Sequence, residues 1–199
     1  MRPVKHLSST VAAAAALVAF PVVANSLVAP GPRAAIAKST LSAKPAGEWN
    51  KLGPRFDGKN VEIWTQDGDA LNKVTFYGGI MTGSPLLREW DAKNTPLPKV
   101  TGGMIMTDIP GLLESTYRSQ HAVDQMAIDV QEPAMFGTHK AIRFTYTFTR
   151  SDDQVQRKGE AIGTFANGKL YLVTYEAPAL FYFDKDVEKY RQLVTTLAI

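Results

Sequence analysis

The chain has 199 residues, no cysteine, and 22 Lys and Arg against 19 Asp and Glu. Without cysteine it has neither a disulfide framework nor the acceptor of a bacterial lipoprotein signal, so no N-terminal lipid anchor is expected. Arg2 and Lys5 belong to a leader, the remainder is near neutral, and no run of five like charges occurs, so nucleic acid is excluded as a partner class.

Arg2, Lys5 and His6 open the chain, and residues 11–24, VAAAAALVAFPVVA, carry no charge. That run suits a signal peptide and falls short of the roughly twenty apolar residues that cross a bilayer as a helix. Val22-Val23-Ala24 offers compact side chains to a signal peptidase, and Pro21 breaks the helix just before them. Residues 1–24 are therefore expected as a signal peptide cleaved after Ala24, with Ala35-Ile36-Ala37 the second small-x-small site. The expected location is the periplasm or the extracellular space, with no stable membrane insertion after cleavage. Residues 25–53, rich in Ala, Pro, Ser and Gly and without a period of two or 3.6, read as a flexible linker. Residues 54–199 then form a single α+β domain.

Within that domain, Val61-Glu62-Ile63-Trp64 and Lys73 to Tyr77 alternate around a QDGDA turn and predict a hairpin. Residues 82–103, with Pro85, Pro96, Pro98 and a Gly pair, read as a long surface excursion. Thr107 or Asp108 caps a helix with Pro110 in its first turn and an apolar stripe of Ile109, Leu112, Leu113 and Tyr117. Met126, Ile128 and Val130 alternate in a strand that Glu132-Pro133 is expected to stop.

Residues 140–149, 155–166 and 169–177 predict three further strands. Asn167-Gly168 is the pair that a two-residue type I′ turn requires, which opposes Ala166 to Lys169, Glu160 to Tyr175 and Gly159 to Glu176. A four-residue loop, 151–154, sets Tyr146 against Gly159, Phe144 against Ala161 and Ile142 against Gly163. In this register one face gathers Ile142, Phe144, Tyr146, Phe148, Leu170 and Leu172 as core. The opposite face gathers Arg143, Thr145, Lys158, Glu160, Tyr171 and Tyr175. A final helix, capped by Asp184 and carrying Val187, Tyr190, Leu193, Val194 and Leu197, lies on the sheet.

EPAMFGTHKAIRFTYTF at residues 132–148, NGKLYLVTYEAP at 167–178 and YRQLVTTL at 190–197 give an order of strands, turn and helix that resembles the Mog1/PsbP-like fold. The resemblance implies an antiparallel sheet with packed helices. Members of that family include photosystem-associated lumenal proteins, a small-GTPase binding factor and exported bacterial proteins, which implies a binding role and transfers no catalytic residue.

The chain contains no GxSxG, HExxH, CxxC, P-loop or GxGxxG pattern. His121 and His139 lie apart from any ligand cluster at metal spacing, Asp67-Gly68-Asp69 lacks the distal acid of a calcium loop, and Ser119, His121 and Asp124 stand too close in sequence to converge as a triad. No catalytic residue, metal or cofactor is expected. The polar face of Arg143, Thr145, Lys158, Glu160, Tyr171 and Tyr175 is the candidate binding surface for a protein or envelope component, unless a helix or the excursion covers it. The alternative is a hydrolase using Glu160 or Glu176, which the register opposes by sending the two carboxylates to opposite faces.

Overall fold

The computed structural model describes residues 25–53, 57–120 and 123–199. The expected signal at 1–24, Phe56 and His121 lie outside them. The strands are β1 (Ser26–Val28), β2 (Trp49–Lys51), β3 (Val61–Thr65), β4 (Lys73–Met81), β5 (Val123–Phe136), β6 (His139–Arg150), β7 (Gln156–Ala166) and β8 (Lys169–Pro178), and the helices are α1 (Ile109–Gln120) and α2 (Tyr182–Val194). All eight strands join one antiparallel sheet in the order β1-β2-β3-β4-β8-β7-β6-β5.

The predicted register is present throughout the C-terminal strands. Ala166 faces Lys169, Glu160 faces Tyr175, Gly159 lies between Tyr146 and Glu176, and Ile142 faces Gly163. Asn167 and Gly168 both have positive φ, 50° and 71°, as the type I′ turn demands. Helix α1 follows a short 3₁₀ turn, where the Asp108 carboxylate accepts the Ile105 N–H at 2.8 Å. Its stripe of Ile109, Leu112, Leu113 and Tyr117 packs on Phe144, Tyr146, Phe148, Leu170 and Leu172. The excursion lends Leu86, Leu87, Leu97 and Val100 to the same layer, so it is anchored inward at four places rather than lying wholly on the surface.

The second face is also a core. Val187, Tyr190 and Leu193 of α2 cover Ile162, Val173 and Tyr175, together with Trp64 and Phe76 from the neighbouring strands. Residues 25–53, expected as a flexible linker, complete this layer. Val28, Ile36, Leu41 and Trp49 are buried in it, β1 pairs with β2, Arg33 bridges to Ala43, and Ser42 bridges to Ala198. These apolar residues are spaced too irregularly to show a period, yet each is buried while Pro30, Pro32 and Pro45 turn the chain between them. The result is a sheet between two helical layers.

Two boundaries differ from expectation. β5 runs through Pro133 to Phe136 because it is the edge strand and pairs on one side only, with β6, where a proline removes no ladder bond if its nitrogen faces outward. Helix α2 begins at Tyr182, two residues before Asp184, so Asp184 sits in its first turn instead of capping it. The entry is a γ-turn: Phe181 has φ 68° and ψ −57°, and the Tyr182 N–H donates to the Leu180 carbonyl at 2.8 Å.

Candidate functional site

Strand parity places the six predicted surface residues on one face, but that face lies largely under α2 and the N-terminal segment. Arg143 is exposed and its Nε donates to Glu132 at 2.6 Å. Thr145 and Lys158 are half-buried, with Lys158 Nζ 5.8 Å from the centre of the Phe183 ring. Glu160 is buried and held by Arg191 through Nη2 at 2.8 Å and Nε at 3.0 Å. The Tyr171 hydroxyl meets Thr40 at 2.9 Å. Tyr175 stacks on Tyr190 and donates to the Tyr182 carbonyl at 3.1 Å. Burial pushes the Tyr175 and Tyr190 phenols well above their ordinary range. Glu160, Tyr171 and Tyr175 are therefore core residues, and the six do not form a common surface. The overlooked signal was Ile162 and Val173, which share this face by parity and mark it as apolar at its centre.

Glu160 and Glu176 project to opposite faces, as the register requires. Glu176 is buried on the α1 side, where both Tyr117 and Tyr146 donate to its Oε1, and Lys73 Nζ lies 3.4 Å from its Oε2. Burial first, and then the Glu176 charge, raise both phenols far above their usual values. The same carboxylate thus ties α1, β6 and β4 to β8. It forms part of the wall of a cleft of about 370 Å³ with Lys73, Arg150, Asp152, Asp153 and Arg157. Arg157 is paired with Asp153 and Arg150 with Asp152, so the charges of this cleft are largely neutralised from within. Sequence reasoning singled out Glu176 but not its two tyrosine partners, because Tyr117 is 59 residues away and only the packing of α1 brings it there.

Just beyond the end of β8, the γ-turn at Phe181 holds two apolar side chains in solvent, Leu180 87% exposed and Phe181 64% exposed. The Ala179 N–H donates to the Gln156 carbonyl at 2.9 Å, which fixes the base of the turn to β7. A positive φ at a bulky non-glycine residue is unfavourable and persists only where surrounding structure enforces it.

Among the described residues no group of three or more His, Cys, Asp or Glu is placed to hold a metal, and no described helix is long and apolar enough to cross a membrane.

No family model matches the chain, and no curated protein matches it in sequence. Among solved structures it is similar to the solution structure of cyanobacterial PsbP from Synechocystis sp. PCC 6803, with a TM-score of 0.53 and 12% identity over 94% of this chain and 98% of that one. The chain has the Mog1/PsbP-like architecture: an antiparallel sheet with packed helices.

Proposed function

We propose that this protein is an exported, non-enzymatic binding or assembly module of the cell envelope, and that it meets a partner protein through the apolar tip at Leu180 and Phe181. The observation that carries this reading is the strained γ-turn, at which two adjacent large apolar side chains stand in water. Lys158, one of the predicted surface residues, stands beside Phe183 at the rim of the same end. A fold shared with cyanobacterial PsbP agrees with a binding role without naming the partner.

The test is affinity capture with cross-linking from envelope extract, comparing wild type with Leu180→Ser/Phe181→Ser and with Arg143→Ala/Lys158→Ala. Loss of a specific partner in the first variant, with an unchanged melting temperature, supports the tip. Loss only in the second returns the site to the exposed part of the sheet face, and equal capture by all three rejects both surfaces.

Export is proposed from the basic lead and the uncharged run at 11–24. Cleavage after Ala24 is the better supported site, since cleavage after Ala37 would remove β1 together with the buried Ile36 and Ala37. Mass spectrometry of the exported protein is expected to find Asn25 as the first residue, and intact Met1 in soluble cytoplasm would sink the proposal.

A second reading, a hydrolase using Glu176, has in its favour the cleft whose wall that carboxylate joins. Against it stands the engagement of Glu176 by Tyr117, Tyr146 and Lys73, which a general base would have to release. A hydrolytic activity lost in folded Glu176→Gln would establish that reading.

A further inference from the structure

At the opposite end of β8 from the apolar tip lies a larger cleft, about 850 Å³, lined by Lys38, Lys59, Arg88 and Lys169 above the apolar side chains of Ile80 and Leu87. Among the described residues no acidic one lines it. Among the described residues none of the four cations forms an ion pair, and the Arg88 guanidinium rests 4.4 Å from the centre of the Trp90 ring. Three acids stand close in sequence to its lining. Asp57 lines the smaller cleft beside Glu176, Glu62 takes Lys51 at 2.9 Å, Trp64 Nε1 at 2.8 Å and the Ala37 N–H at 3.1 Å, and Glu89 takes Lys99 at 3.5 Å.

Backbone strain gathers around this cleft. Ala37 and Lys38 adopt the left-handed region, with φ 53° and 54°, although neither is glycine. β4 carries an extra residue between Tyr77 and Ile80, with Gly79 at φ 66°. The bulge admits the left-handed segment: a Cβ on Gly78 would lie 2.3 Å from Ser39 Oγ, and one on Gly79 would lie 3.6 Å from Lys169 Cδ. The fold accepts an unfavourable backbone where it brings Lys38 to the same cleft as Lys169, and like charges gathered in one cleft are themselves unfavourable unless an anion joins them.

We infer that this cleft binds an organic phosphate, its phosphate oxygens met by the three lysines and Arg88 and its apolar part resting on Ile80 and Leu87. Four unneutralised cations match a group that carries close to two negative charges, and the arginine fork adds paired donors to the point charges of the lysines. The volume falls within the range of small-molecule sites and exceeds the needs of an inorganic ion. The inference is independent of the partner surface at Leu180 and Phe181, and either stands if the other fails.

Two probes separate the sources of such a phosphate. Calorimetric titration of the purified protein with phenyl phosphate at low salt tests a soluble one. Co-sedimentation with vesicles containing phosphatidic acid, against phosphatidylcholine vesicles, tests a lipid headgroup. The decisive variant is Lys59→Ala/Lys169→Ala, two exposed cleft residues, with Lys93→Ala/Lys140→Ala as a control of equal charge outside the cleft. The expected result is saturable binding of at least one probe, weakened tenfold or more in the cleft variant and unchanged in the control. The inference is overturned if neither probe saturates, if both variants weaken binding alike, or if the cleft variant binds as wild type does.

Discussion

The ring of Tyr146 occupies the space that a side chain at Gly159 would fill, for a Cβ there would lie 2.1 Å from Tyr146 Cζ. The two residues are cross-strand partners, and Glu176 is the partner of Gly159 on its other side. The missing side chain is what lets the phenol on β6 reach over β7 and donate to the carboxylate on β8 at 2.7 Å.

Gly159→Ala is expected to cost about 3 kcal/mol, since the ring must move and the buried Glu176 loses a donor. Tyr146→Phe keeps the ring and removes only the hydroxyl, so it should cost less, about 1–2 kcal/mol. Denaturant midpoints for the two variants check the order, and a Gly159→Ala cost below that of Tyr146→Phe would contradict the steric account.

Gly168→Val tests the turn between β7 and β8. Nothing lies within 4 Å of a Cβ at Gly168, so any loss comes from the positive φ of 71° rather than from a clash. A β-branched residue there should destabilise the protein by about 1–3 kcal/mol. Thermal unfolding reads the effect, and an unchanged melting temperature would mean that the turn relaxes freely.

The strand register was legible because Asn167-Gly168 fixes one hairpin and the large-to-small pairs, Tyr146 with Gly159 and Phe144 with Ala161, fix the next. Those are local constraints that period and turn chemistry express directly. The second core was not legible, although Ile162 and Val173 belong to it. The polar residues that flank them on the same face are buried by partners distant in the chain: Glu160 by Arg191, Tyr171 by Thr40. For the same reason Val28, Ile36 and Trp49 read as isolated apolar residues in a linker, since their packing partners lie on α2 and on strands that follow much later. The apolar tip was equally hidden, because Phe181 and Leu180 read as ordinary approach to a helix until the backbone angles are known.

The Glu160–Arg191 pair is expected to show the asymmetry of a buried acid with a partner open to solvent. Arg191→Met strands a buried carboxylate and should cost about 2 kcal/mol, after allowing for the solvent that already reaches Arg191. Glu160→Met/Arg191→Met should cost less than that single change, because the charge to be buried is gone. A double-mutant cycle on unfolding free energy checks it, and additive losses would show that the two side chains do not act together.

Acid should loosen the attachment of the β3–β4 turn to α2. Asp67 accepts from Lys185 at 2.6 Å, and this hydrogen bond holds its carboxyl below the ordinary carboxylate range. A depressed folded-state value means that the contribution is present above the unfolded value, about pH 4, and is lost as the pH falls through the folded one. Lys185→Ala should therefore lose less melting temperature than wild type on going from about pH 5 to about pH 2. Parallel curves for the two proteins would remove this contact from the acid response.

Ser42 bridges to Ala198, and the Lys44 N–H donates to Thr196 Oγ1 at 2.9 Å, so two segments more than 150 residues apart close on one another. With β4 also paired to β8 across the whole intervening chain, the central hydrogen bonds of the sheet wait on the last strand to be made. Contacts of such long sequence separation are slow to form, because the loop they close must lose its freedom before any of them is gained. In a chain arranged in this way the sheet cannot be completed until the C-terminal residues are available to pair, so its closing contacts are the last that synthesis can supply.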